Sequence, residues 1–281
     1  MITLDDCAEK LTRVDHQFKD LKRLVDTFRM DNPTPIVRKN KPNRGEIEYR
    51  IGEVKAVPFG ISIIVGELIH NLRCPLDYLI CRLAERAGKT PTSKHEFPIF
   101  KDRDSFIEYL PAKLAGIPLH ECALIELLQP YKGLDPERHP LLILHSLNNI
   151  DKHRLLPLMQ TAPFQGKYLY SGPVKLTVVK TGLTEGLKSG THLLTLGISD
   201  GTDPAEVDVN IELSVDITFD KASPWHQMSM FQTLLAIRAY IRDHVFVKPL
   251  IEGFTCNPIV LFPVQDYRKH LPPPGPLQRM V

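Results

Sequence analysis

The chain has 281 residues, of which 43% are hydrophobic and 24% charged, with a formal net charge of +2. That is enough to bury one large core or two small ones, and the composition excludes a disordered chain. Near-neutral charge excludes a global electrostatic hold on nucleic acid and leaves only a local patch for such a role, while no uncharged run of about 20 residues is present to span a bilayer.

Residues 3–30 form the clearest predicted helix. Leu4, Cys7, Leu11, Val14, Phe18, Leu21, Val25 and Phe28 alternate spacings of three and four, a heptad seam over four repeats. Thr3 is placed to cap it, with Asp5 and Asp6 in its first turn, and Asn32-Pro33 stops it. Such a seam serves either a bundle within the chain or a homodimer through the N-terminal helix. The segment Val37-Arg-Lys-Asn-Lys-Pro-Asn-Arg44 reads as a basic, solvated turn, and Ile47, Tyr49 and Ile51 alternate with charged residues as a short strand. Pro58 opens a long helix that Gly88 closes.

Residues 89–140 are proline-rich, with short helices predicted near 103–115 and 119–128 and turns at 128–131 and 135–140. A second polar helix follows over about 139–156. The period then changes to two. Val207, Val209, Ile211, Leu213, Val215, Ile217 and Phe219 alternate with polar residues as one long strand, or two joined at a bulge. Segments at 174–179 and 193–198 supply partner strands, with Gly182, Gly186, Gly190 and Asp200-Gly201 at the turns. A last helix is expected at about 224–252, and the proline-rich tail over 263–281 reads as extended. The order predicts an α+β fold: a mainly helical bundle with an antiparallel β-sheet inserted at about 165–220, forming a single domain over residues 1–262.

Two helices carry charge where apolar residues are expected. His70, Arg73 and Asp77 share a face of the first. On the second, His145, Asn149 and Lys152 form a stripe, with Asn148 and His153 beside it. An unpaired buried charge costs several kcal/mol, so matched stripes in two apolar helices predict a shared polar site. Run antiparallel, they bring His70 toward Lys152 or His153, Arg73 toward Asn149, and Asp77 toward His145, whose pKa Asp77 would raise. Pro75 interrupts the first helix beside this face, and the loop residues His95 and His139 are further candidates to line the site.

Three uses of such a site differ in chemistry. Metal binding fits poorly, because His70 and Asp77 are separated by about 10 Å of helical rise; no metal and no cofactor are assigned. Metal-free cleavage of a phosphodiester needs histidines and an acid to move protons, here His145, His153 and Asp77. It also needs cations at the phosphate, with His70, Arg73, Asn149, Lys152 and Arg154 as the binding set. Binding of RNA or a nucleotide without catalysis fits the same residues. The alternative is a structural or interaction module whose buried polar network fixes helix register. Cys74, in an apolar helix, reads as core rather than nucleophile. The five cysteines are odd in number and lack C-x-x-C spacing, and the acidic N-terminus lacks the features of a signal peptide; both suit a reducing cytoplasm.

Gly66-Glu-Leu-Ile-His-Asn-Leu-Arg73 with Leu76-Asp77, then Phe97-Pro-Ile99, then Leu147-Asn-Asn-Ile-Asp-Lys-His-Arg154 resembles a family of uncharacterised bacterial proteins over about residues 45–250. That resemblance implies no activity. A weaker similarity is to HEPN-type helical ribonucleases, whose motif sets an arginine four to six residues before a histidine on one helix. Here Arg73 is followed by Asp77 and Tyr78, and Arg138 lies seven residues before His145, so no catalytic residue carries over.

Overall fold

The computed structural model describes residues 3–161, 167–170, 176–181, 187–198, 202–212, 215–220, 225 and 228–246. The turns expected at Gly182, Gly186 and Asp200-Gly201, the end of the last helix, Cys256 and the tail lie outside the described residues. The helices are α1 (Asp5–Asp31), α2 (Phe59–Arg86), α3 (Arg103–Lys113), α4 (Leu119–Leu127), α5 (Pro140–His153) and α6 (Met230–Tyr240), the last running into a π-helical turn over Ile241–Val245. The strands are β1 (Ile36–Lys41), β2 (Glu46–Ile51), β3 (Leu158–Thr161), β4 (Lys167–Tyr170), β5 (Leu176–Thr181), β6 (His192–Ile198), β7 (Val209–Glu212) and β8 (Asp216–Phe219). The fold is α+β and rich in helix, as expected. No helix among the described residues is long and apolar enough to cross a membrane.

The chain forms two compact units. Among the described residues, one draws on 3–24, 60–156 and 230–246, the other on 25–59 and 157–229.

The helical unit is built on the two longest helices. The seam residues Leu4, Cys7, Leu11, Val14, Phe18 and Leu21 are buried in this unit, and Val25 and Phe28, which belong to the other, are buried as well. In this unit the polar edge of α1 is tied to α2, where Lys10 Nζ donates to Asn71 Oδ1 at 2.9 Å and Asn71 Nδ2 to Gln17 Oε1 at 3.0 Å. Arg82 pairs with Asp6 at 2.8 Å, Arg238 of α6 pairs with Asp15, and the rings of Phe18 and Phe231 meet edge to face at 5.7 Å. The heptad repeat therefore records packing within one chain. Helix α2 runs unbroken through Pro75, whose carbonyl accepts from Cys7 Sγ at 3.6 Å. It ends on Gly88 at φ +72°, with Gly88 N–H bonded to Glu85 O and Lys89 N–H to Ala84 O, the paired bonds of a Schellman cap.

The second unit holds a four-stranded antiparallel sheet in the order β1-β2-β6-β5. Two of its strands precede α2 in the chain, so the sheet is not confined to the 165–220 insertion the sequence suggested. The residues read as a basic turn instead form β1 and a short 3₁₀ turn over Pro42–Arg44. Two of their four charges, Arg38 and Lys41, are partnered: Arg38 Nη2 donates to Val207 O at 2.7 Å and Pro204 O at 2.5 Å. Lys41 and Arg50 pair with the buried Glu48, and these pairs hold its carboxyl at about 2. Ile47, Tyr49 and Ile51 point into a core with Leu187, Leu193, Leu194, Leu196, Val207 and Val209. The long alternating stretch is two strands, β7 pairing with β4 and β8 with β3.

Candidate functional site

The site lies wholly within the helical unit. Gly66 shows that α2 and α5 run against each other: a Cβ there would meet the Asp151 carboxylate, with Cγ and Oδ2 both at 2.8 Å. Only the absence of a side chain allows this approach. Seven residues further along α2, Arg73 is 7% exposed, and its charge acts on His145, six residues back along α5. Position thus advances on one helix as it recedes on the other, the antiparallel arrangement expected.

Arg73 and Asp77, one turn apart, bracket a loop residue. Arg73 Nη2 donates to Asp77 Oδ1 at 2.7 Å and to the Phe97 carbonyl at 2.7 Å, and Nε donates to Asp77 Oδ2 at 3.2 Å. The Phe97 N–H returns to Asp77 Oδ1 at 2.8 Å. Burial raises the Asp77 carboxyl pKa, outweighing Arg73 and the Phe97 amide, which act to lower it. The remaining guanidinium nitrogen, Nη1, is buried and has no hydrogen-bond partner among the described residues. A buried donor without an acceptor costs roughly 1–3 kcal/mol and is uncommon.

The same loop is fastened on either side. His95 is buried, its Nδ1 accepting the Thr92 N–H at 3.0 Å, which leaves Nε2–H to donate to Ala115 O at 3.1 Å. Both ring nitrogens are satisfied, so His95 holds the loop rather than serving a ligand. Gln129, fully buried, donates to Pro98 O at 2.9 Å and accepts from Phe100 N at 3.1 Å. Between these anchors the loop presents Glu96, which pairs with Lys113 at the end of α3 at 2.8 Å and lies 3.6 Å from Arg73 Nη2. Burial acts to raise the Glu96 carboxyl, but Lys113, Arg73 and Lys152 together hold it low.

His145 faces this group. Burial, and then the positive charges of Arg73, Lys113 and Lys152, push its pKa down to about 4, with Glu96 opposing. Its Nε2 lies 3.1 Å from Asn149 Nδ2, one turn along the same helix. An amide nitrogen there donates, so Nε2 carries a lone pair and the ring proton sits on Nδ1. The expectation that Asp77 would pair with His145 and raise its pKa is therefore corrected. Asp77 is occupied by Arg73 and Phe97, and the register is displaced by one helical turn, bringing Arg73 rather than Asp77 to bear on the histidine.

The other predicted residues fall to either side. His70 is exposed, 3.4 Å from Cys74 Sγ, and its charge lowers the Asp151 pKa against the burial that raises it. Lys152 is exposed but acts on both His145 and Glu96. His153 and Arg154 are exposed at the end of α5, about 12 Å of helical rise beyond His145, and are not brought into the group. His139 caps α5, accepting the Leu141 N–H on Nδ1 at 3.3 Å, with its ring edge-on to Tyr240 at 4.7 Å. Cys74 is a free thiol whose pKa is raised, first by burial, which makes it a poor nucleophile. No three His, Cys, Asp or Glu side chains among the described residues are grouped to hold a metal ion.

The assembled set is Arg73, Asp77, Glu96, Lys113, His145, Asn149 and Lys152. Sequence reasoning missed Glu96 and Lys113, which lie in the irregular region and share no helical stripe with the others. Comparison of the chain with protein-family models, with curated proteins and with solved structures finds no match in any of the three.

Proposed function

We propose that the protein binds a phosphate-bearing ligand, as carried by RNA or a nucleotide, where Arg73, Lys113 and Lys152 surround His145. The observation that supports this most is the convergence of three cations from three helices on one imidazole, where they add to burial, the larger cause, in disfavouring its protonated form. Asp77 and Glu96 offset two of these charges, and an anion among them would offset the third. The guanidinium edge at Nη1, buried and without an acceptor, adds a donor suited to a phosphate oxygen. The arrangement favours binding over cleavage. At neutral pH His145 is a neutral imidazole and so a poor general acid, and His153 is two turns away.

Titration with inorganic phosphate, AMP and a short single-stranded RNA, followed by the His145 ring resonances and by calorimetry, tests the reading. Binding should shift those resonances, and Lys152→Met should weaken affinity about fivefold, equivalent to roughly 1 kcal/mol. Undisturbed resonances with all three ligands would remove the proposal.

The Arg73–Asp77–Phe97 bracket supports a second reading, in which the polar residues only fix the fold. Arg73→Met would then lower the melting temperature while no anion altered it. We place the protein in a reducing cytoplasm, a reading supported by the free thiols of Cys74, Cys81 and Cys122. A homodimer through α1 would have to use its outer face, because the heptad seam is buried within the chain.

A further inference from the structure

The charge held at this site limits which phosphate it suits. His145 is acted on by Arg73 of α2, Glu96 of the loop, Lys113 of α3 and Lys152 of α5, and Arg73 is itself paired with Asp77. Glu96 in turn pairs with Lys113 at 2.8 Å, lies 3.6 Å from Arg73 Nη2 and feels the charge of Lys152, so the same groups close on one another. With the imidazole neutral, three cations face two carboxylates, and the set carries a single positive charge. A singly charged ligand leaves it neutral. A doubly charged one leaves a net negative charge against a buried guanidinium and its half-buried carboxylate partner, where charge is less well screened than in water.

Resting on the phosphate-binding reading, we infer that the ligand group is an internal phosphodiester, as in an oligonucleotide backbone, and that a terminal phosphate enters only with a proton taken up by His145. Asn149 equips the histidine for both states. Its side chain is exposed, and half a turn about its Cβ–Cγ bond replaces the donating Nδ2 with the accepting Oδ1, matching a protonated Nε2. In the diester state the amide donates to the lone pair. In the monoester state it accepts the added proton, and the imidazolium supplies the missing charge.

AMP and its phosphate methyl ester test this on the full chain, because they share base and sugar and differ by one negative charge at about pH 7.5. The ester should bind about tenfold more tightly, with affinity flat between about pH 6.5 and 8. AMP should bind with uptake of a proton, seen as a heat that varies with buffer ionisation enthalpy and as an imidazolium signal from His145. Glu96→Gln removes one carboxylate from a half-exposed position, raises the set to two positive charges, and should reverse the preference in favour of AMP. AMP binding as tightly as the ester in the unaltered protein, or with no proton uptake, would overturn the inference while leaving phosphate binding intact. An unchanged preference in Glu96→Gln would also overturn it. Failure of both ligands and of inorganic phosphate to bind would overturn the underlying reading as well.

Discussion

His139 and His145 are held by burial in their neutral forms, each with a pKa near 4 rather than 6.5. For His139 the second cause is the charge of His244, across the ring of Tyr240, which stacks on His244 at 4.8 Å. The unfolded chain binds protons at both positions more readily than the folded one. Their contribution to stability is therefore complete above about pH 6.5 and is lost as the pH falls toward 4. For His139, the more buried, the loss is on the order of 3 kcal/mol; for His145, at the edge of solvent, it is smaller. Urea denaturation at about pH 7 and pH 5 should show this decline. His139→Asn, which can still accept the Leu141 N–H as an N-cap, should keep stability at pH 7 and flatten the dependence. An equally steep acid loss in that variant would show that His139 does not cause it. The sequence marked both histidines but not their ionisation, which depends on neighbours from α2, α3 and the π-helical turn.

At the scale of elements, the contact that sets the site is the meeting of α2 and α5 at Gly66 and Asp151. Gly66→Ala removes a helix-weakening glycine, a gain of about 1 kcal/mol, but forces the new methyl into the Asp151 carboxylate. The crowding should win, with a net loss of about 1–2 kcal/mol by thermal unfolding. Gly66→Ala combined with Asp151→Ala should recover most of it, since the truncated side chain clears the methyl. A single Gly66→Ala variant more stable than the parent would contradict this packing. The stripes themselves were legible, because 3.6-residue periodicity puts His70, Arg73 and Asp77 on one face without reference to the fold. Their relative register was not, since Arg73 satisfies Asp77 on its own helix and the Phe97 backbone adds a bond that periodicity cannot reveal.

For the whole molecule, the sheet joins segments separated by more than a hundred residues, β2 pairing with β6 from Glu46↔Gly197 to Arg50↔His192. The β1–β2 hairpin cannot bury Ile47, Tyr49 and Ile51 by itself, and an isolated hairpin is at best marginally stable. Replacing residues 157–229 with a short Gly/Ser linker should leave these side chains exposed. The product should bind a hydrophobic dye and lose amide protection over 46–51. Replacing Ile47 and Ile51 with threonine in that shortened chain should reduce dye binding. Retained protection of those amides would mean the hairpin has another partner.

What the amino-acid sequence determined alone is what repeats over short distances. The heptad seam of α1, the span of α2 from Pro58 to Gly88, the alternation of β2 and the two polar stripes all follow from local periodicity and from the backbone limits of proline and glycine. Tertiary structure decided what depends on distant neighbours: that the seam packs inside the chain, that the basic segment becomes an edge strand, and that Glu96 and Lys113 join the site. It also set the sign of the shift at His145. Side-chain charges act through space over a few ångströms, and only the folded chain sets which of them lie within that range.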